Sequence, residues 1–188
     1  ILGKEAIGTQ ITGNILHHNT EEGIVIEGSA LDSAGPSQTT VRGNSITRNG
    51  KSGIRISDLA FKNLIQGNFI GIDPSGLLLD QGNNGEGVLI DNASDNAIGG
   101  PTAAAGNVIQ NNGKAGVFVK SGTGNAILHN TIFNNIGGLG IDLCTEGVTP
   151  NDKNKDGDTG ANKLQNFPEL TLATVGASRR IVGTLKSA

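Results

Sequence analysis

The sequence predicts an all-β solenoid: a three-sheet parallel β-helix of about five coils, followed by a short C-terminal loop and a partial hairpin. Three observations predict it. Short apolar runs of period two recur along the chain, Gly-Asn and Asn-Gly pairs stand between them, and the pattern returns at intervals of about two dozen residues, the range in which internal repeats mean stacked coils. Residues 39–56 show one unit, with Val41, Gly43-Asn44, Ile46, Asn49, Gly53 and then Ile54 and Ile56. Three short strands and three bends close one triangular turn of chain.

Taken in order, the units align on Asn14, Asn44, Asn68, Asn107 and Asn130, separated by 30, 24, 39 and 23 residues. The long steps are insertions at bends, at residues 28–38, 72–81 and 99–105, each carrying Gly, Ser or Pro as loops do. Three residues before the asparagine stand Ile11, Val41, Ile65 and Ile127, with Ile98 taking that place ahead of its loop. Two residues after it stand Leu16, Ile46, Ile70, Ile109 and Ile132, and five after it Asn19, Asn49, Asp73, Asn112 and Asn135. Then Gly23, Gly53, Gly87, Gly116 and Gly140 precede the inward pairs Ile24/Ile26, Ile54/Ile56, Val88/Ile90, Val117/Val119 and Ile141/Leu143. In a stack with a repeat of about 4.8 Å, each strand bonds to its counterpart in the next coil and like side chains lie over like. Asparagine suits the bends because it tolerates the left-handed conformation and its amide bonds to the amides above and below. The asparagines are therefore read as structural ladders.

Composition bounds the function. Thirty glycines imply many tight bends, and the aliphatic content still suffices for a core. A net charge of −3 gives no basic footprint and argues against nucleic acid. No apolar stretch is long enough to span a bilayer. The one cysteine, Cys144, has no internal disulfide partner and no histidine near it in the pattern, so it reads as a packed thiol. The sequence starts in mid-pattern without a methionine, so further chain upstream is expected.

The repeats that read like GNSITRNGKSGIRI, the last coil IFNNIGGLGIDLCTEGVTP and the segment NDKNKDGDTGANKLQNFPEL together resemble the right-handed parallel β-helix repeat proteins of the pectate-lyase-like superfamily. Large bacterial surface or secreted multidomain proteins of that group are the nearest in pattern. The resemblance implies a right-handed solenoid over residues 1–150, an acidic exit loop over 151–169 and, over 170–188, a strand or hairpin opening a β-sandwich. It also implies an extracellular or cell-surface location in bacteria. Cys144 departs from the group, whose members usually carry glycine there.

Enzymes on such a scaffold work on the outward positions of one sheet, here Val25, Arg55, Leu89, Phe118 and Asp142, then Glu27, Ser57, Asp91, Lys120 and Cys144. Arg55 with Asp91 is the one acid–base neighbourhood, and Glu27 and Asp91 two coils apart stand at roughly 9.6 Å, the spacing of an inverting carboxyl pair. Solvated surface charge explains the same residues. His17 and His18 lie at the edge of the first coil and His129 beside the fifth asparagine, without a carboxylate partner. Asp152, Asn154, Asp156 and Asp158 alternate around Gly157 like the first part of a calcium loop, with hard oxygens suited to that ion. Lys163 stands where a full loop would place its glutamate, which excludes an EF-hand. The expected function is a non-catalytic spacer or adhesion and carbohydrate-contact module, joined to neighbouring domains and able to associate end to end. The alternative is a polysaccharide lyase or glycoside hydrolase using Arg55, Asp91 and Glu27; fold alone does not decide between them.

Overall fold

A computed structural model describes residues 6–28, 38–75, 81–152, 158–176 and 180–185. The first coil contains β1 (Gln10–Thr12), β2 (Ile15–His17) and β3 (Ile24–Glu27), the second β4 (Thr40–Arg42), β5 (Ser45–Thr47) and β6 (Ile54–Ser57). The third contains β7 (Leu64–Gln66), β8 (Phe69–Ile70) and β9 (Val88–Asp91), the fourth β10 (Ala97–Gly99), β11 (Val108–Gln110) and β12 (Val117–Val119). The fifth contains β13 (Ala126–Leu128), β14 (Thr131–Phe133) and β15 (Ile141–Leu143). Corresponding strands stack into three five-stranded sheets, β1-β4-β7-β10-β13, β2-β5-β8-β11-β14 and β3-β6-β9-β12-β15. All three are parallel, with Ile54 opposite Ile24 and Val88, and Ile46 opposite Leu16 and Ile70. The expected three-sheet parallel β-helix is present, coil for coil.

The core is the axis of the prism. Val41, Ile46, Ile54, Ile56, Ile65, Ile70, Val88, Ile90, Ile98, Ile109, Val117 and Val119 are wholly buried, and Ile11, Leu16, Ile127, Ile132 and Leu143 close the ends while half open. Burial of an aliphatic side chain of this size is worth about 1.5–3 kcal/mol, so the stacked columns carry the fold.

Three asparagine ladders line the bends. In the first, the backbone N–H and Nδ2 of each residue donate to Oδ1 of the next, from Asn14 through Asn44, Asn68 and Asn107 to Asn130. The second runs Asn19, Asn49, Asn83, Asn112, Asn135. Here the sequence alignment needs a correction. Asp73 does not hold the third place; it accepts from Ser75 N–H and Oγ at 2.8 and 2.6 Å within its own loop, and the ladder resumes at Asn83 after the insertion. The third ladder, Asn63–Asn96–Asn125, was not anticipated, and Thr39 N–H donates to its first member.

One rule governs the bends except where an insertion precedes the ladder position, at Gly82 before Asn83 and at Gly106 before Asn107, where Gly106 has φ of −66°. A residue in the left-handed region stands immediately before the ladder position: Gly13, Gly43, Gly67 and His129 at one corner, His18, Arg48, Asn111 and Asn134 at the next, Lys62, Asp95 and Gly124 at the third. That conformation turns the chain sharply enough to swing the following amide inward, where an unbonded polar group would be costly and the ladder satisfies it. Cys144, with φ of +73°, occupies a left-handed turn, a conformation that glycine adopts more readily.

Beyond the last coil, the exit loop returns across one corner. Asn125 N–H donates to Asn162 Oδ1 at 3.0 Å and Asn162 Nδ2 donates to Asn125 O at 2.7 Å, so Asn162 supplies the next rung of the third ladder. The chain then forms the expected hairpin, antiparallel β16 (Glu169–Thr174) and β17 (Arg180–Thr184), most of it exposed.

Candidate functional site

The outward face of the third sheet is where the alternation of β3, β6, β9, β12 and β15 places the expected functional column. Register sets Arg55 opposite Val25 and Leu89, and Phe118 opposite Leu89 and Asp142. A second column runs Glu27, Ser57, Asp91, so Glu27 and Asp91 are two coils apart with buried Ser57 between them.

Two of the three candidate catalytic groups, Arg55 and Asp91, have a local partner. Arg55 Nη2 lies 3.9 Å from Asp58 Oδ2. Asp91 accepts from Lys120 Nζ at 2.9 Å and from Ser121 Oγ at 3.1 Å. Burial pushes the Asp91 carboxyl up, but the hydrogen bonds from Lys120 and Ser121 and the charges of Lys120 and Arg55 outweigh it and hold the group below its ordinary value. A carboxylate so stabilised in its charged form is a weak general base and a poor proton donor near neutrality.

Two recesses lie toward the C-terminal end. A cavity of about 670 Å³ opens below the last coil between Ile127, Leu143, Leu164 and Phe167. A smaller cleft of about 260 Å³ lies against the third sheet and is lined by Glu86, Lys114, Phe118, Asp142 and Glu146. Glu86 is buried, accepts from Ser52 Oγ at 2.7 Å and lies 3.4 Å from Lys114 Nζ, which also reaches Glu146 at 3.3 Å. The negative charge of Glu86, with the hydrogen bond to Glu146, raises Lys114 above its ordinary value. Asp142 was expected to face outward. It is buried beneath the turn that follows β15, accepting from Gly147 N–H at 2.9 Å through Oδ2. Sequence reasoning missed this cleft. Its signal is Glu86 directly before the repeated glycine, where the other coils carry Glu22, Ser52, Ala115 and Leu139.

Of the expected calcium ligands, Asn154 and Asp156 lie outside the described residues. Asp152 is tied to Asn166, its Oδ1 accepting from Nδ2 at 2.7 Å and its N–H donating to Oδ1 at 3.1 Å, and Asp158 is half-buried. Among the described residues no three of His, Cys, Asp and Glu converge as a metal cage would require. The soft and borderline donors are dispersed. Cys144 packs half-buried against the end of the core, and His129 Nδ1 lies 2.8 Å from Gly100 O. His17 and His18, both exposed, face each other with Nδ1 atoms 2.7 Å apart.

Among the described residues no helix is long and apolar enough to cross a membrane. The family model described as periplasmic copper-binding protein (NosD) matches residues 1–142. No match is found among curated proteins or among solved structures.

Proposed function

The chain belongs to the NosD family, described as periplasmic copper-binding protein, and from that premise we propose that it is a non-catalytic β-solenoid module working outside the cytoplasm as a rigid spacer and contact surface. The observation that carries this reading is the continuity of the prism. Side-chain amides connect the coils from Asn14 to Asn130 and from Asn19 to Asn135, around a core of aliphatics with no exposed surface in the middle coils. Such a rod holds neighbouring domains at fixed distance and presents flat parallel sheets to cell-surface partners or polysaccharide.

The polysaccharide lyase or hydrolase reading is tested directly. Acidic and neutral polysaccharides incubated with the protein should release neither reducing ends nor unsaturated products. Release that disappears in Arg55→Ala or Asp91→Asn would overturn the proposal.

The family description also raises copper, and the donor chemistry limits how the chain would hold it. The sequence has no methionine, one cysteine and three histidines, and only His17 and His18 bring two donors together. These residues fit an exposed two-imidazole site; they do not fit a closed four-ligand centre.

A further inference from the structure

We propose that His17 and His18 form a chelating site for a late first-row divalent ion, copper(II) before zinc(II), at the corner where β2 turns toward β3. It deepens the copper part of the reading above and stands apart from the spacer role.

The site follows from the bend. Strand alternation turns Leu16 inward and His17 outward. The next residue should point to the opposite face, but His18 occupies the left-handed position of the corner, with φ of +56°, and the turn swings its ring alongside that of His17. The ring centroids are 4.9 Å apart with planes at 87°, and the two Nδ1 atoms stand at 2.7 Å. As neutral rings, one Nδ1–H donates to the lone pair of the other.

That separation is close to the bite of a chelate. Two imidazole nitrogens each about 2.0–2.1 Å from an ion, at a right angle to one another, lie about 2.9 Å apart. To bind, both exposed rings turn so that their lone pairs converge on the ion instead of on each other, and the ion takes the place of the shared proton. The donating ring then carries its proton on Nε2 instead of Nδ1, exchanged through solvent, so no net proton is released from the neutral pair. Because both rings are exposed, water completes the coordination without moving the fold. Imidazole suits copper, nickel and zinc, and affinities of a nitrogen site rise to copper and fall again at zinc.

Among the described residues no third His, Cys, Asp or Glu joins the pair. Thr47 is the register partner of His17, and His18 N–H donates to Arg48 O at 3.1 Å. Arg48 is the charged residue at the corresponding bend of the next coil, and its positive charge weakens capture of a cation without removing either ligand.

The experiment titrates the full chain with copper(II) chloride by calorimetry and by electron paramagnetic resonance. Cys144→Ser is present in every sample so that the thiol does not compete. One equivalent should bind, the spectrum should show two imidazole nitrogens, and zinc(II) should bind more weakly. Either His17→Gln or His18→Gln should cost about a hundredfold in affinity, because the second ligand no longer binds intramolecularly, whereas His129→Gln should leave it unchanged. Both imidazoles are exposed, so the far-ultraviolet circular dichroism of the variants should match the parent. A loss under tenfold in both variants, dependence on His129, or no uptake at millimolar ion would overturn the site.

Discussion

Ile54 and Ile141 hold the same place in the repeat, first inward residue of the third sheet, yet Ile54 has no exposed surface while Ile141 is 45% exposed. Nothing in their local sequence separates them, since each follows a glycine and begins a strand. The difference is what lies beyond. Ile54 has a coil on both sides; Ile141 has one on one side and the mouth of the larger cavity on the other. In a solenoid each coil contacts only its neighbours, so identical residues contribute according to their position in the stack. A residue packed against a further coil should therefore answer strongly to changes that its counterpart facing an open end tolerates.

The glycine before these isoleucines gives the largest contrast. A Cβ on Gly53 would stand 2.7 Å from Ile70 Cγ2, 2.8 Å from Gly87 O and 2.9 Å from Asn83 Nδ2, all in the next coil. None of these can retreat without opening the core, a sheet bond or a ladder. On Gly140 the nearest atom would be Ile132 Cγ2 at 3.7 Å, an ordinary contact, because among the described residues no coil stacks beyond it. Gly53→Ala should cost about 3 kcal/mol, and Gly140→Ala no more than about 0.5 kcal/mol. Denaturant midpoints of the two variants test this, and equal losses would show that the glycine column is not governed by stacking.

The ladders give an intermediate contrast. Asn68 donates through Nδ2 to Val41 O and Asn107 Oδ1, both at 2.9 Å, and its Oδ1 accepts from Asn44 N–H and Nδ2 at 3.0 Å. Asn68→Ala strands buried donors and a carbonyl, so a loss of about 2–4 kcal/mol is expected. Asn14 is exposed and its amide reaches Asn44 Oδ1 and Thr12 O at 3.1 and 3.2 Å, where water can replace it. Asn14→Ala should cost under about 1 kcal/mol. Thermal unfolding followed by circular dichroism decides it, and a mild Asn68→Ala would mean that the amides line the bend without bearing on stability.

Much of this architecture was legible because the period lies in the sequence itself. Val41, Ile46, Ile54 and Ile56 recur in phase in every coil, and the structure puts them in the same columns. Two readings failed where an insertion or a side chain breaks the phase. Asp73 keeps the count of five residues after Asn68, but the insertion that follows moves the bend to Asn83, which only the stacked geometry shows. The third ladder was hidden because Lys62 and Asp95 take the left-handed position before Asn63 and Asn96, leaving Gly124-Asn125 as a lone Gly-Asn pair with no counterpart in the coils before it. Site chemistry was less legible than fold. Glu86, Lys114 and Glu146 are far apart in sequence and meet only because successive coils lie side by side. The facing of His17 and His18 depends on a backbone sign that adjacent residues do not announce, although the position of His18 before Asn19 matches that of Arg48 before Asn49.

The smallest expected effect concerns the surface of the middle coils, where position in the stack should matter little. Asp91 and Lys120 pair at 2.9 Å on consecutive coils with side chains 28% and 55% exposed. The folded carboxyl sits below its ordinary value of 3.8. It therefore adds stability at pH values above that of the unfolded group, and this contribution fades as pH falls through the folded value. Solvent screens so exposed a pair, and the contribution at neutral pH should not exceed about 1 kcal/mol. Asp91→Asn should be slightly less stable than the parent at pH 7, with the gap closing in acid and shrinking in high salt. A gap that widens on acidification would reverse the sign and mean that Asp91 is held in its neutral form. That outcome would restore it as a proton donor two coils from Glu27 and so reopen the hydrolase reading on the very sheet where the stack is tightest.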